Sequence, residues 1–152
     1  MESLPSNHYF LGSIQWSPQL DIDSEILDQL EEPYIYATLG SSGRNEIFDT
    51  MVDGLSQIGC KVFLSTADNY LSKVNRNIIS RIYLPGALMA KNALMIVSNG
   101  GSTTGYQSLF EGKPVLGIAT NLDQYLCMQN LTRLGVGRLI RARSLKSSIL
   151  KN

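Results

Sequence analysis

A short segment rich in glycine and hydroxyl side chains, Asn99-Gly100-Gly101-Ser102-Thr103-Thr104, lies between an apolar run and a helical pattern. Two adjacent glycines let a backbone approach a bulky anion closely and adopt positive φ. The first N–H groups of the following helix have no intrahelical partner and carry partial positive charge. We expect residues 102–104 to add hydroxyl donors, one of which caps the helix. The pattern predicts a phosphate site, although a tight turn with a serine cap would use the same residues.

The segment 39–46, Leu-Gly-Ser-Ser-Gly-Arg-Asn-Glu, repeats this arrangement earlier in the chain. Gly40, Ser41, Ser42 and Gly43 follow an apolar run and precede a second helical pattern. The segment is not a Walker A loop, because no Gly-Lys-Ser/Thr follows, and it is not a GxGxxG dinucleotide fingerprint. It is equally consistent with a helix cap and with a second ligand-binding loop.

Three further side chains are suited to the hydroxyl groups of a ligand. Asp123 and Gln124 open a predicted helix, and a carboxylate beside a carboxamide offers the acceptors and donors that sugar hydroxyls require. Gln107 lies one turn into the helix after the glycine pair, where it either reaches a ribose hydroxyl or points to solvent. Taken alone, Asp123 is equally well explained as a capping residue at a helix N-terminus.

These polar segments lie at the junctions of an alternating pattern of strands and helices. The predicted strands are 34–40, 60–66, 78–85, 93–99, 114–120 and 137–142, and the predicted helices are 45–59, 87–92, 102–112 and 122–135. Residues 68–77 are predicted to form a weaker helix or a long turn. Such alternation predicts an α/β fold with a Rossmann-like open parallel sheet of about six strands and helices on both faces. Ligands bind these sheets beyond the carboxyl ends of the strands, which is where the polar segments lie.

The chain divides by sequence texture into a lead-in and a domain. Residues 1–32 lack strong periodicity and end in a short predicted helix at 24–30, so we interpret them as a linker. Residues 33–152 carry the alternating pattern and are long enough to bury a core, so we expect them to form one domain.

Composition argues against several classes of protein. With 43% hydrophobic residues, 17% charged residues and zero formal net charge, the chain gives no global signal for nucleic-acid binding. The single histidine, His8, makes a His-based triad or a zinc site unexpected. Cys60 and Cys127 lack metal-ligand spacing and indicate buried thiols in a reducing compartment. No signal segment or membrane-spanning apolar run is recognisable, so we expect a cytoplasmic protein.

Charge is distributed unevenly along the chain. Nine of the thirteen acidic residues lie within residues 1–50. No acid follows Asp123, whereas six basic residues do: Arg133, Arg138, Arg141, Arg143, Lys146 and Lys151. This basic end faces a phosphate-rich ligand, an anionic membrane or an acidic partner domain, unless it is simply a solvated strand and tail.

Taken as a unit, the polar segments resemble the donor-binding signature of GT-B glycosyltransferases, a family that includes UDP-glycosyltransferases and antibiotic glycosyltransferases. That signature consists of His-Gly-Gly, a helix that carries Glu, Gly-x-Pro, a strand and Asp-Gln. Residues 99–124 show Asn-Gly-Gly-Ser, then Gln107, Gly112-Lys113-Pro114 and Asp123-Gln124, in the same order.

Two upstream segments extend the resemblance. Residues 81–86, Arg-Ile-Tyr-Leu-Pro-Gly, look like the Trp-x-Pro-Gln element of the same family. Residues 34–43 look like the first strand and loop of its C-terminal domain. The resemblance covers residues 33–142, which implies that residues 33–152 correspond to the nucleotide-sugar-binding, C-terminal half of such an enzyme.

The resemblance implies a role for each segment. Ser41, Ser42, Gly43, Asn99, Gly100, Gly101, Ser102 and Thr103 would bind the donor diphosphate; Tyr83, Leu84, Pro85 and Gln107 the base and ribose; Asp123 and Gln124 the transferred sugar. It implies no catalytic residue in this chain, because the acceptor site and the usual catalytic base lie in the N-terminal domain of a GT-B enzyme. It requires no metal or cofactor beyond a nucleotide sugar of the UDP or dTDP type.

Three residues depart from the family pattern. Asn99 stands where the family usually has His, Gln107 where it usually has Glu, and Gly86 where it usually has Gln. An amide at Asn99 still donates to a phosphate but carries no titratable charge. Gln107 keeps a ribose hydrogen bond but gives up charge assistance, at a cost of about 1 kcal/mol.

The sequence therefore predicts the donor-binding half of a hexosyltransferase-type glycosyltransferase that transfers a sugar from a nucleoside-diphosphate sugar to an acceptor hydroxyl. The resemblance implies an N-terminal acceptor-binding domain or a partner subunit that completes the enzyme. Peripheral membrane contact through the basic C-terminal segment is a further hypothesis. The alternatives are a non-catalytic nucleotide- or sugar-binding module and part of a GT-B-fold nucleotide-sugar epimerase.

Overall fold

The computed structural model describes residues 5–9, 12, 14, 21–40, 45–71 and 75–150. Its centre is a six-stranded sheet in which all neighbouring strands pair in parallel. The strands are β1 (Tyr34–Thr38), β2 (Lys61–Ser65), β3 (Ile78–Arg81), β4 (Ala93–Ser98), β5 (Val115–Ala119) and β6 (Gly137–Arg141). Their spatial order is β3-β2-β1-β4-β5-β6, so the chain builds outward from β1 and then crosses to build the other half from β4. The predicted open parallel sheet is confirmed.

Helices occupy the connections between the strands. They are α1 (Ser24–Leu27), α2 (Asn45–Leu55), α3 (Gly86–Asn92), α4 (Ser102–Phe110) and α5 (Leu122–Arg133), and 3-10 helices follow β6 at Ala142–Ser144 and Ser147–Leu150. Because strand crossovers are right-handed, connections that run in opposite directions from β1 place their helices on opposite faces. Within the described part of the chain, none of these helices has the length and apolar character needed to cross a bilayer.

Consecutive residues of β1 point to opposite faces of the sheet and divide the core in two. Ile35 and Ala37 belong to a buried cluster with α2, whereas Tyr34 and Tyr36 belong to a buried cluster with α3. The Tyr34 hydroxyl donates to the Met89 carbonyl of α3 at 2.9 Å. All five residues of β1 are buried, as expected for a central strand with covered faces.

The segment before β1 contributes to this core. Ile26 of α1 and Leu30, which follows it, are 1% and 6% exposed and pack in the same cluster as Tyr34. Arg81 at the end of β3 forms ion pairs with Asp23 at 2.8 Å and Glu25 at 3.6 Å. Residues 23–30 are therefore attached to the sheet by apolar and ionic contacts.

Of the two alternatives predicted for 68–77, a weaker helix or a long turn, the helix is not found in the described residues of that segment, 68–71 and 75–77. Asn77 instead donates through Nδ2 to the carbonyls of Leu55, Ile58 and Cys60, at 3.0 to 3.1 Å. One amide thus satisfies three carbonyls at and just beyond the C-terminal end of α2, which attaches the end of the 68–77 segment to that helix. The sequence predicted that the thiols of Cys60 and Cys127 are buried. This prediction needs correction, because both free thiols are only partly buried.

A single methionine fits α5 against the sheet. Met128 is fully buried, and its side chain occupies the space above three glycines from different segments. A Cβ on Gly117 of β5 would overlap Met128 Cγ and Sδ, one on Gly100 would lie 2.5 Å from Cγ, and one on Gly137 would lie 3.2 Å from Cε. The absence of side chains at these positions lets α5 approach β5, β6 and the Gly100 turn closely.

Candidate functional site

The parallel sheet gathers the predicted polar segments at one edge. Thr38, Ser65, Arg81, Ser98, Ala119 and Arg141 end the six strands on the same side. The loops that follow β1, β3, β4 and β5 contain all the residues predicted to bind a ligand, apart from the first residues of α4 and α5 and from Gln107 in α4. This is the edge at which open parallel sheets bind their ligands.

The N-terminus of α4 lies in the middle of this edge and carries no side-chain cap. Gly101 is the N-cap residue, and as a glycine it makes no side-chain hydrogen bond to the first turn of α4. Ser102 and Thr103 are exposed. The expectation that one of the hydroxyls of residues 102–104 caps α4 is therefore wrong. The helix presents backbone N–H groups and its positive dipole end, which is an arrangement suited to an anion.

The turn before α4 is held by its own polar side chains. Ser98 Oγ, completely buried, accepts from Gly100 N at 3.0 Å, and Asn99 Oδ1 accepts from Gly101 N at 3.0 Å. Gly100 has φ +80°, a left-handed conformation that glycine adopts without strain. Gly100 thus has a structural role, since it makes the turn and leaves room for Met128.

The loop after β1 meets this turn. Gly40 has φ +59°, and its N–H donates to Thr38 Oγ1 at 3.2 Å. A Cβ on Gly40 would lie 3.3 Å from Asn99 Nδ2, so the loops after β1 and β4 are in contact. The predicted diphosphate residues Ser41, Ser42 and Gly43 lie outside the described residues.

The loop after β3 offers one exposed aromatic ring. Tyr83 is 55% exposed, whereas Leu84 is 7% exposed and packs in the core beneath α3. Pro85 is also buried and is the N-cap residue of α3. Of the predicted base-binding segment 83–85, Tyr83 is therefore the residue whose side chain is available to a ligand.

Asp68, in the loop after β2, is a residue that sequence reasoning missed. Its Oδ2 accepts a hydrogen bond from the Tyr83 hydroxyl at 3.3 Å. Ala67 and Asp68 have φ of +47° and +70°, a conformation that costs a non-glycine residue energy and often marks a functional segment. The only sequence signal was the position of Asp68 directly after a strand, which is common in any α/β protein.

The loop after β5 separates the roles of its polar side chains. Asn121 Oδ1 accepts from Gln124 N at 3.0 Å and is the cap of α5. Gln124 is 3% exposed, and its Oε1 accepts from Thr120 N and Oγ1 at 2.8 and 2.9 Å. Asp123 is exposed. The alternative in which Asp123 is the capping residue is thereby excluded, and its carboxylate is accessible to a ligand.

A basic pocket adjoins the loop after β5. A cavity of about 480 Å³ is lined by Thr120, Asn121, Tyr125, Arg141 and Arg143 together with apolar residues. Arg141 Nη2 donates to the Tyr125 hydroxyl at 3.2 Å, and its guanidinium lies 5.2 Å from the centroid of the ring. The hydrogen bond and positive charge of Arg141 lower the pKa of Tyr125.

Known glycosyltransferases match almost the whole chain. No protein-family model matches it. A PGL/p-HBAD biosynthesis glycosyltransferase of Mycobacterium tuberculosis is 37% identical over 95% of the chain. A PGL/p-HBAD biosynthesis rhamnosyltransferase of Mycobacterium bovis is 40% identical over 95% of the chain. The chain spans about a third of the length of these relatives, 34% and 32% respectively.

Solved structures show the same fold. Os79 from O. sativa, in complex with UDP, superposes with a TM-score of 0.70 at 13% identity, over 95% of this chain and 36% of that one. The glycosyltransferase VinC, in complex with dTDP, gives a TM-score of 0.67 at 18% identity, over 82% of this chain and 34% of that one. The chain is homologous to glycosyltransferases and has the fold of one GT-B domain. The family and fold implied by the sequence resemblance are confirmed, as is the partial coverage expected of one half of a GT-B enzyme.

Within this domain, pairwise contacts link the segments that carry the described site residues. Gly40 meets Asn99, the main chain of Gly100 lies against Gln124, and Tyr83 meets Asp68. Gln107 of α4 closes the remaining gap, because its amide packs directly on Gly86 at the start of α3. Residues from five of the six strand ends are thus linked along one edge.

Proposed function

We propose that this domain binds a nucleoside-diphosphate sugar and presents it for transfer of the sugar to an acceptor hydroxyl. The observation that carries the proposal is the N-terminus of α4, which lacks a side-chain cap at the centre of the ligand edge. The neighbouring α5 is capped by Asn121; α1 and α3 also lack a side-chain cap, but they are short helices of four and seven residues, whereas α4 has nine. Bound phosphate oxygens would supply the acceptors that its first N–H groups require.

In the proposed reaction, the acceptor oxygen attacks the anomeric carbon of the donor and the bond from that carbon to the diphosphate oxygen breaks. The electron pair stays on the diphosphate, and the acceptor proton passes to a base in the acceptor-binding domain. The backbone N–H groups of Ser102 and Thr103 would stabilise the growing negative charge on the leaving group. This domain therefore contributes binding and electrostatic stabilisation, and the complete enzyme requires the acceptor domain.

The remaining site residues have roles that follow from their accessibility. The exposed ring of Tyr83 would stack on the base, and the exposed Asp123 carboxylate would accept from sugar hydroxyls. Gln124, whose Oε1 is committed to Thr120, would contribute through the position it gives the loop. UDP and dTDP are the candidate donors, in keeping with the nucleotides bound to the two structural neighbours.

The wider setting is part of the proposal. An anionic surface, either of the acceptor domain or of a membrane, would contact the exposed basic residues of the C-terminal part. These are Arg133, Arg138, Arg141, Arg143 and Lys146. The free thiols of Cys60 and Cys127 are consistent with a reducing, cytoplasmic compartment.

Deleting one backbone N–H tests the proposal directly. Proline is tolerated at the first position of a helix, and Gly101 before it already has the extended backbone, φ −67° and ψ 153°, that a following proline requires. Ser102→Pro therefore removes a phosphate donor and spares the helix, whereas Ser102→Ala removes only the hydroxyl.

We expect calorimetric titration with UDP, dTDP and GDP to detect millimolar or tighter binding of at least one nucleotide. Ser102→Pro should weaken that binding about tenfold or more, because a hydrogen bond to a charged group is lost, while Ser102→Ala stays within about threefold. Binding of none of the three nucleotides would overturn the proposal. A transfer assay with the acceptor domain restored then separates an enzyme from a non-catalytic binding module.

A further inference from the structure

Gly86 and Gln107 make an unusually close contact. A Cβ built on Gly86 would lie 2.5 Å from Gln107 Oε1, 3.2 Å from Cδ and 3.3 Å from Nε2. Separations below 3.0 Å are essentially never seen for a real Cβ, so no side chain at position 86 is compatible with the present position of the Gln107 amide. The amide fills the space that a residue at 86 would otherwise take.

Both partners are buried and belong to different parts of the ligand edge. Gln107 is 6% exposed and lies one turn into α4, the helix whose N-terminus would hold the diphosphate. Gly86 is the buried first residue of α3, immediately after the segment that carries Tyr83. The contact therefore links the phosphate end of the site to its base end. Positions 86 and 107 are also two of the three departures from the family pattern, and in three dimensions they are neighbours.

From this geometry we infer that Gly86 and Gln107 act as a coupled pair that sets the distance between α4 and the Tyr83 segment. Gln107 is a positioning residue in this arrangement, and a Cβ at position 86 would displace the buried Gln107 amide or the start of α3. The inference rests on the proposed nucleotide site. In it, the Gly86–Gln107 pair determines how well the nucleoside fits, whereas the N-terminus of α4 binds the diphosphate independently of the pair.

The pair can be tested by separating nucleoside binding from diphosphate binding. UDP and inorganic pyrophosphate would be titrated into the 152-residue chain and into Gly86→Ala, Gln107→Ala and the double variant. If dTDP or GDP proves to be the nucleotide that binds, it replaces UDP. Gly59→Ala is the matched control, because Gly59 has ordinary φ and open space around the position of its Cβ. Thermal melting of each variant reports folding independently of binding.

We expect Gly86→Ala to weaken nucleotide binding about tenfold and to leave pyrophosphate binding within about twofold, since overpacking displaces the Tyr83 segment and not the N-terminus of α4. The double variant, in which the amide no longer opposes the new methyl group, should bind the nucleotide within about threefold of Gln107→Ala. Coupling of this kind is not expected of two independent sites.

Three results would overturn the inference. Nucleotide affinity unchanged in Gly86→Ala would show that the contact is not coupled to binding, even if the melting temperature falls. Equal loss of nucleotide and pyrophosphate binding would show a general disruption and no nucleoside-specific role. Failure of the unsubstituted chain to bind any nucleotide would overturn the proposed function and this inference together, whereas the first two results leave the proposed function intact.

Discussion

The side chain of Arg141 acts on Tyr125 through both a hydrogen bond and its charge. Because these interactions favour the phenolate, they lower the pKa of Tyr125. We predict that Arg141→Ala raises this pKa back toward its ordinary value. The absorbance of the phenolate as a function of pH measures this pKa. Because the chain has seven tyrosines, the titration of each protein is compared with that of the same protein carrying Tyr125→Phe, and the difference is the signal of Tyr125. Arg143→Ala is the control, and an unshifted titration in Arg141→Ala would contradict the prediction.

Tyr36 makes the stability of the fold depend on alkaline pH. Burial raises its pKa to about 12, although hydrogen bonds with Thr38 and Ser65 oppose the shift. The unfolded chain therefore ionises first, near pH 10, so the stabilisation is complete below that pH and is lost as pH rises toward 12. At pH 11, between the two pKa values, we expect the free energy of unfolding to have fallen by about 1.4 kcal/mol more in the unsubstituted chain than in Tyr36→Phe, which corresponds to one pKa unit.

Urea unfolding of both proteins at pH 8, 10 and 11 measures this difference. At pH 8 the substitution removes only the hydroxyl and its hydrogen bonds, so any offset there is subtracted as a baseline. Parallel pH profiles for the two proteins would rule out Tyr36 as the source of the alkaline loss.

For single residues, the sequence allowed a structural prediction where the residue type itself favours a particular backbone conformation. Gly100 and Asn99 could be predicted to form a special turn, because glycine pairs and Asn favour positive φ and local side-chain hydrogen bonds. Asp68 could not be predicted, because its role depends on a tertiary contact with Tyr83. The same applies to Leu84, whose burial beneath α3 is decided by packing and not by its motif.

Among the elements, the fit between α5 and the sheet depends on Met128 and its glycines. A methyl group on Gly117 would overlap Met128, so α5 or the methionine must move. We predict that Gly117→Ala lowers the free energy of unfolding by about 2 kcal/mol through overpacking. Gly59→Ala, at a position with open space, should cost little. Chemical denaturation measures both, and equal effects of the two substitutions would contradict the packing argument.

Partial rescue would identify the partner in that clash. In Gly117→Ala/Met128→Ala the shorter side chain, which has no Cγ or Sδ, leaves room for the methyl group, so the double variant should lose less than the sum of the single losses. Strict additivity would mean that Gly117 is constrained by something other than Met128.

The presence and order of most strands and helices were predictable from hydrophobic periodicity, but some boundaries were wrong. The strand predicted at 78–85 ends at Arg81, and the helix predicted at 45–59 ends at Leu55. The described residues of 68–77 show no helix, and Asn77 at the end of this segment donates to three carbonyls from another part of the chain. The cap expected among Ser102, Thr103 and Thr104 is absent, because Gly101 takes the N-cap position and the hydroxyls lie inside the first turn. The alternation of strands and helices was enough to predict the open sheet, whereas side-chain hydrogen bonds determine the conformation of individual loops and helix ends.

On the scale of the whole domain, the C-terminal 3-10 turn closes one face of the sheet. Leu150 is 9% exposed and packs on Gly54 of α2, where a Cβ would lie 2.8 Å from its Cδ1. We predict that Leu150→Ala lowers the free energy of unfolding by about 2 kcal/mol, because truncation of a buried leucine leaves a cavity. Ile149→Ala, at a neighbouring residue that is 43% exposed, should cost clearly less. Similar losses in thermal or urea unfolding would contradict a closing role for Leu150.

The position of Met128 also fixes a length. It joins the Gly100 turn to α5, and α5 begins beside Asp123, so the proposed phosphate and sugar contacts belong to one rigid body. We expect the span from the N-terminus of α4 to the backbone of Asp123 to change little when a ligand binds. We therefore expect the site to discriminate by linker length, and a sugar joined to its nucleoside through a single phosphate would fall short of Asp123 when its base lies on Tyr83.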